Sequence, residues 1–142
     1  MKRLLASLCF TALIAGCAGS STVTVGGRPV SIPTDAAEEH EKLIENIGIY
    51  EDPELQAYID EIGARLVANS SMPNQEFTFT LLDSPDINAF ALPGGLIYIN
   101  RGLLAYLDSE AELAGVIAHE IGHITERHHS RRRTQTITNQ VA

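Results

Sequence analysis

Residues 109–124 read Ser109-Glu110-Ala111-Glu112-Leu113-Ala114-Gly115-Val116-Ile117-Ala118-His119-Glu120-Ile121-Gly122-His123-Ile124. Ser109 is a predicted N-cap, and Glu112 three residues later completes a capping box. Glu110 and Glu112 put negative charge in the first turn, while Arg127, Arg131, Arg132 and Arg133 crowd the far end. Both placements suit the helix dipole. Leu113, Val116, Ile117, Ile121 and Ile124 recur at three- and four-residue steps, the pattern of an apolar stripe packed on a core. One long helix therefore carries the pentad His119-Glu120-Ile121-Gly122-His123.

Residues four apart on a helix share a face. His119 and His123 can thus reach one metal ion, while Glu120 points toward the water such an ion would bind. Two His on zinc with the intervening Glu as general base is the arrangement of H-E-x-x-H metalloproteases. On a helical wheel Glu120 falls between the His pair and the apolar stripe. A carboxylate so close to a buried face is costly without a partner, and a bound cation or its water supplies one. A chance pentad on a surface helix would instead leave both rings and the carboxylate solvated. Gly115 and Gly122 each weaken an isolated helix by roughly 1 kcal/mol relative to Ala, which makes sense where another backbone or a substrate comes close.

A catalytic zinc site usually takes three protein ligands and leaves one position to water. His129 has the outer spacing of H-E-x-x-H-x-x-G-x-x-H, but the position of the helix-breaking Gly holds Glu126. If the helix continues, His129 lies about 9 Å beyond His123 along the axis and points elsewhere. His128 reads as a packed or capping histidine, and His40, in an acidic helix, as solvated.

Several further stretches belong with the pentad. They are Asn88-Ala89-Phe90-Ala91-Leu92-Pro93-Gly94-Gly95, Ile97-Tyr98-Ile99-Asn100-Arg101-Gly102-Leu103-Leu104, Ser109 to Ala114, and Arg127-His128. Together they resemble the core of the bacterial HtpX-like and BepA-like zinc metalloendopeptidases, relatives of the CAAX prenyl endopeptidases, over roughly residues 35–135. The resemblance implies that His119 and His123 bind one Zn2+ per chain and that Glu120 activates water. It also implies a third ligand, a Glu in an E-x-x-A-D-type motif some tens of residues later, hence beyond residue 142. The chain is then either a fragment of a longer protein or a degenerate relative with an unfinished site. The ending from Thr134 to Ala142 favours the fragment.

Lys2 and Arg3 precede an apolar run, Leu4 to Ile14, too short to span a bilayer and suited to a signal-peptide core. Leu13-Ile14-Ala15-Gly16-Cys17 resembles a bacterial lipoprotein cleavage site, which implies lipidation of Cys17. With Ala18 rather than Asp next, it implies an outer-membrane anchor facing the periplasm in a Gram-negative source. Cys9 would leave with residues 1–17, so no thiol would remain for a disulfide, a nucleophile or a zinc ligand. Loss of Lys2 and Arg3 takes the formal charge from −8 to −10. So acidic a chain is a poor nucleic-acid binder and is not drawn to anionic lipid. The membrane would hold it through the lipid alone.

Residues 18–34 are rich in Ser, Thr, Gly and Pro and read as a flexible tether. Residues 35–142 read as the N-terminal part of one zinc metallopeptidase domain. An acidic helix runs from Asp35 to about Asn46. Asp52 caps a second helix, with Pro53 at its first position and Leu55, Ile59, Ile62 and Leu66 on one face. Phe77 to Leu82 alternates as a strand, Asn88 to Leu92 is a second, and Pro93-Gly94-Gly95 turns into a third, Leu96 to Ile99. A short helix over 102–107 leads to the pentad helix. The expected class is α+β, a gluzincin-like metallopeptidase core whose small sheet packs on the H-E-x-x-H helix, incomplete at its C-terminus.

Asn88, Ala89, Phe90 and Ala91 are candidates for a substrate-binding sheet edge beside the zinc, since edge pairing tolerates many peptide sequences. Phe90 and Leu92 serve equally well as core filling. The function these readings imply is zinc-dependent endoproteolysis of misfolded envelope proteins, with outer-membrane protein assembly as a partner system. The alternative is a catalytically incomplete periplasmic lipoprotein that binds unfolded chains or partners.

Overall fold

The computed structural model describes residues 19–25 and 28–140, with side chains of the last helix described through Glu126. Cys17 and the leader expected over residues 1–17 lie outside the described residues. The architecture is mixed α+β. Strands β1 (Ser20–Val25) and β2 (Arg28–Pro33) form an antiparallel hairpin, followed by helices α1 (Thr34–Asn46) and α2 (Pro53–Ala68). Then come β3 (Thr78–Leu82), β4 (Ala89–Leu92), β5 (Leu96–Asn100), the short α3 (Arg101–Leu104) and the long α4 (Glu110–Gln140). Strands β3, β5 and β4 make a three-stranded sheet in that order, β3 parallel and β4 antiparallel to the central β5. Among the described residues, no helix is long and apolar enough to cross a membrane.

The hairpin corrects the expectation of a flexible tether over 18–34. Val23, Val25, Val30 and Ile32 are buried, each two residues from its fellow, so one face of the hairpin is apolar. That face joins Leu82, Leu96 and Tyr98 of the sheet and Ala36 and Ala37 of α1 in one core. A second core on the opposite side of the sheet joins Phe79, Leu81, Ile97 and Ile99 to Ile59 and Ile62 of α2 and to Leu113, Ile117, Ile121 and Ile124 of α4. Covering both faces explains why β3 and β5 are buried along their whole length, where simple alternation over Phe77 to Leu82 predicts one wet face. Helix α2 lies so close to β3 that a Cβ at Gly63 would overlap the Phe79 ring.

Local chemistry accounts for the element boundaries. The Asp52 carboxylate accepts the Leu55 N–H at 3.0 Å, with Pro53 at the first helical position. Gly94 and Gly95 turn β4 into β5 at φ of 94° and 92°, angles that L side chains rarely adopt. At α4, Ser109 Oγ accepts the Glu112 N–H, whereas the Glu112 carboxylate accepts from Asp108 N–H at 2.7 Å. The reciprocal bond of the capping box is thus displaced by one residue. Glu110 ties the same end of α4 to α2, accepting from Tyr58 Oη and Arg65 Nη2, each at 2.8 Å. The Tyr58 hydroxyl first, then Arg65, holds the Glu110 carboxyl below its usual range.

His40 corrects another expectation. It is not solvated but 5 % exposed, and Nδ1 lies 2.7 Å from the Tyr98 hydroxyl. Burial lowers its pKa from the ordinary 6.5, opposed by the Thr24 backbone and by Glu41. Because the folded state resists protonation, the unfolded chain takes up this proton first and acid destabilises the fold. Stability measured in urea should therefore fall as pH drops below about 6.5, and His40→Gln should flatten that part of the profile. An unaltered profile in the variant would refute the assignment to His40.

Candidate metal centre and cleft

Helix α4 is fixed by its buried stripe, and this decides where the pentad points. Ile117, Ile121 and Ile124 enter the core, which leaves His119 and His123 on an exposed face and Glu120, only 7 % exposed, between face and core. His119 Nε2 and His123 Nε2 are 3.0 Å apart, with ring planes at 83°. One ligand atom from each of His119, Glu120 and His123 can be chosen so that all lie within 4.8 Å of one another.

The donor set fits a divalent ion. At zinc–nitrogen distances of about 2.0–2.1 Å, a tetrahedral pair of imidazoles is about 3.3 Å apart. A separation of the two Nε2 atoms by a few tenths of an ångström (about 0.3 Å) converts the present contact into that spacing. The two Nε2 atoms face each other across this contact, where a single cation would be held by both. Among the described residues, no further His, Cys, Asp or Glu joins this group. Helix α4 continues past Glu126 to Gln140 without a break, so the backbone lacks the reversal that would swing His129 back. The side chains of His128, His129 and the Arg131–Arg133 cluster lie outside the described part.

The His–Glu group borders a cleft of about 790 Å³ between the start of β4 and the first half of α4. Of the proposed edge residues, Asn88 and Ala89 line it, while Ala91 does not. Ala89 and Ala91 pack on the α4 side of the sheet, and their small size suits the closeness of that helix. Phe90 turns the other way, stacked on Tyr98 at 5.1 Å, and Leu92 follows it into the second core. For these two side chains, core filling is what the structure displays.

The backbone of β4 is a different matter. Asn100 N–H donates to Asn88 C=O at 3.0 Å, and the register pairs Ala89 with Ile99 and Ala91 with Ile97. Alternation along an antiparallel pair then directs the N–H and C=O of Ala89 and Ala91 away from β5, outward from the sheet. The other margin is already occupied. Gln56 Nε2 donates to Phe79 C=O, Gln56 Oε1 accepts from Leu81 N–H, and Tyr50 N–H donates to Leu81 C=O. One side-chain amide thus stands in for a missing strand beside β3. Among the described residues, the open edge is the one beside the His–Glu group.

Sequence reading did not find the rest of the cleft. Ile87 precedes β4, whereas Leu103, Tyr106 and Leu107 lie in one stretch after β5, and only the folded chain brings the two segments together. Gly115 did give a signal, as a glycine inside a helix.

Comparison with known proteins follows the same lines. Residues 53–142 match the family model of Peptidase family M48. A β-barrel assembly-enhancing protease of Yersinia pestis is 48 % identical over 80 residues, covering 56 % of this chain and 16 % of that protein. Its counterpart in Escherichia coli strain K12 is 44 % identical over the same shares. A mitochondrial metalloendopeptidase of Schizosaccharomyces pombe is 35 % identical over 71 residues, 50 % of this chain and 21 % of its own length. The match therefore spans less than a quarter of these curated relatives.

Proposed function

The chain belongs to peptidase family M48, and from that premise we propose that it forms the catalytic segment of a zinc-dependent endopeptidase. His119 and His123 hold the ion, one per chain, and Glu120 is the general base. The observation that carries this reading is the facing pair of Nε2 atoms, 3.0 Å apart, beside a carboxylate 7 % exposed. The third ligand is a Glu beyond residue 142, as the family resemblance implies. When bound, zinc polarises the scissile carbonyl and brings the acidity of a water close to neutral.

The chain's own residues do the remainder. Glu120 takes the water's proton on a carboxylate oxygen and delivers it to the leaving amine. The outward N–H and C=O groups of Ala89 and Ala91 bind an extended peptide and hold its direction along the cleft. Such backbone pairing is indifferent to sequence, which suits substrates met in many unfolded forms. The substrate class we favour is misfolded or stalled envelope proteins, outer-membrane β-barrels among them. The names of the two bacterial relatives support it. Residues 1–17 act as a lipoprotein leader, and lipid on Cys17 anchors the protein to the outer membrane, facing the periplasm. The catalytic unit includes the hairpin at 20–33 as well as residues 35–142.

The test is zinc stoichiometry measured together with casein cleavage, on this chain and on the product of the natural gene. One zinc per chain with cleavage in the gene product is the expected result. Zinc-free, inactive gene product after careful preparation would favour the chaperone-like alternative.

The edge has its own test. Proline is tolerated on an edge strand where its lost N–H faces outward. Ala91→Pro should therefore keep the fold and the zinc yet lower casein cleavage about 2- to 10-fold, the loss of one hydrogen-bond donor. Phe90→Pro removes a donor inside the ladder and should unfold the sheet instead. Cleavage by Ala91→Pro equal to the parent's would remove β4 from substrate binding.

A further inference from the structure

We propose that Gly115 forms the floor of a specificity pocket, one that seats a bulky apolar side chain of the substrate residue next to the scissile bond. The inference rests on the peptidase reading and adds a substrate preference to it.

Gly115 has no structural reason to be glycine. Its φ is not among the positive ones, and a Cβ built on it meets nothing within 4 Å. In a helix interior a glycine only weakens the helix. What its missing side chain supplies is space, and that space opens into the cleft. Gly115 lies one turn before His119, so this hollow is adjacent to the metal-binding face.

The opposite wall is apolar and wet. Ile87 is 60 % exposed and Tyr106 68 % exposed, with Leu103 and Leu107 beside them. Large side chains left in water around a concave site mark a place where an apolar group is received. The cleft is continuous with the His–Glu group and with the start of β4. An extended peptide paired to β4 directs alternate side chains to one face of the sheet, and one of them enters this hollow beside Glu120. Among the described residues, no Lys or Arg lines the cleft, while Asp108 and Glu112 do, so an acidic side chain is disfavoured. The Glu112 carboxylate already accepts the Asp108 N–H, which leaves the apolar wall as the main attraction.

The experiment uses the product of the natural gene and peptides that differ only beside the scissile bond, bearing Ala, Leu, Phe, Lys or Asp. Cleavage positions are read by mass spectrometry and kcat/KM is measured for each peptide. Leu and Phe should exceed Ala by roughly 10- to 100-fold, and Gly115→Leu should bring that ratio down to about 1. General damage would slow every peptide alike and leave the ratio unchanged, so an unchanged ratio overturns the pocket. A preference for Lys overturns it too. Should the parent cleave none of the peptides, the peptidase reading fails. The pocket is then judged by peptide binding to Glu120→Gln, followed by fluorescence anisotropy. Tighter binding of Leu and Phe peptides, lost on adding Gly115→Leu, sustains the pocket, and equal binding of all five rejects it.

Discussion

Replacing Glu120 with Gln should leave zinc bound and lower peptide hydrolysis by about 100- to 10,000-fold, the usual contribution of a positioned proton-transfer group. Gln has nearly the same shape, so the packing of a residue that is 7 % exposed changes little. The two His proposed to hold the metal are untouched. What disappears is the ability to accept a proton, since an amide has no basic oxygen at neutral pH. Elemental analysis of zinc and release of casein fragments, made on the same preparation, separate these effects. Retained zinc with lost cleavage assigns the base. A Gln variant as active as its parent would falsify that assignment. Loss of both together would mean that Glu120 helps to retain the ion.

Ile117→Ala should destabilise the domain by about 2–5 kcal/mol, the range for truncating a buried Ile in a packed core. Ile117 is 0 % exposed and packs with α2 and the sheet from the same helix that bears the pentad. Domain stabilities are typically about 5–15 kcal/mol, so this is a large share. Metal held by the folded state alone should offset part of the loss. Zinc at about 100 times its dissociation constant adds about 2.7 kcal/mol. Urea denaturation with and without zinc measures both quantities on the natural gene product. A change under about 1 kcal/mol would mean that the helix is not anchored through this residue. Loss of stability without any recovery in zinc would mean that the folded state holds no metal.

Much of this could be read from local patterns. The Asp52-Pro53 start of α2, the Gly94-Gly95 turn, and the 3.6-residue stripe of α4 are each written within a few residues, and each appears in the fold. The His–Glu group was legible for the same reason, since helix geometry alone brings residues four apart together. The hairpin at 20–33 was hidden by composition. Ser, Thr, Gly and Pro suggest a linker, yet Val23, Val25, Val30 and Ile32 alternate there, and that period was the better guide. His40 escaped because its partner, Tyr98, is 58 residues away. The cleft walls and the cover over β3 were illegible for a related reason. Each joins segments that nothing in the local sequence connects.

The amide of Gln56 has a consequence for how copies of this protein meet. With one flank of the sheet blunted, a neighbour seeking to extend it must lie along the flank where a client polypeptide is proposed to enter. Self-association through that flank and the handling of clients would then exclude one another. Crowding the protein would then slow the proposed cleavage as a competitive inhibitor does.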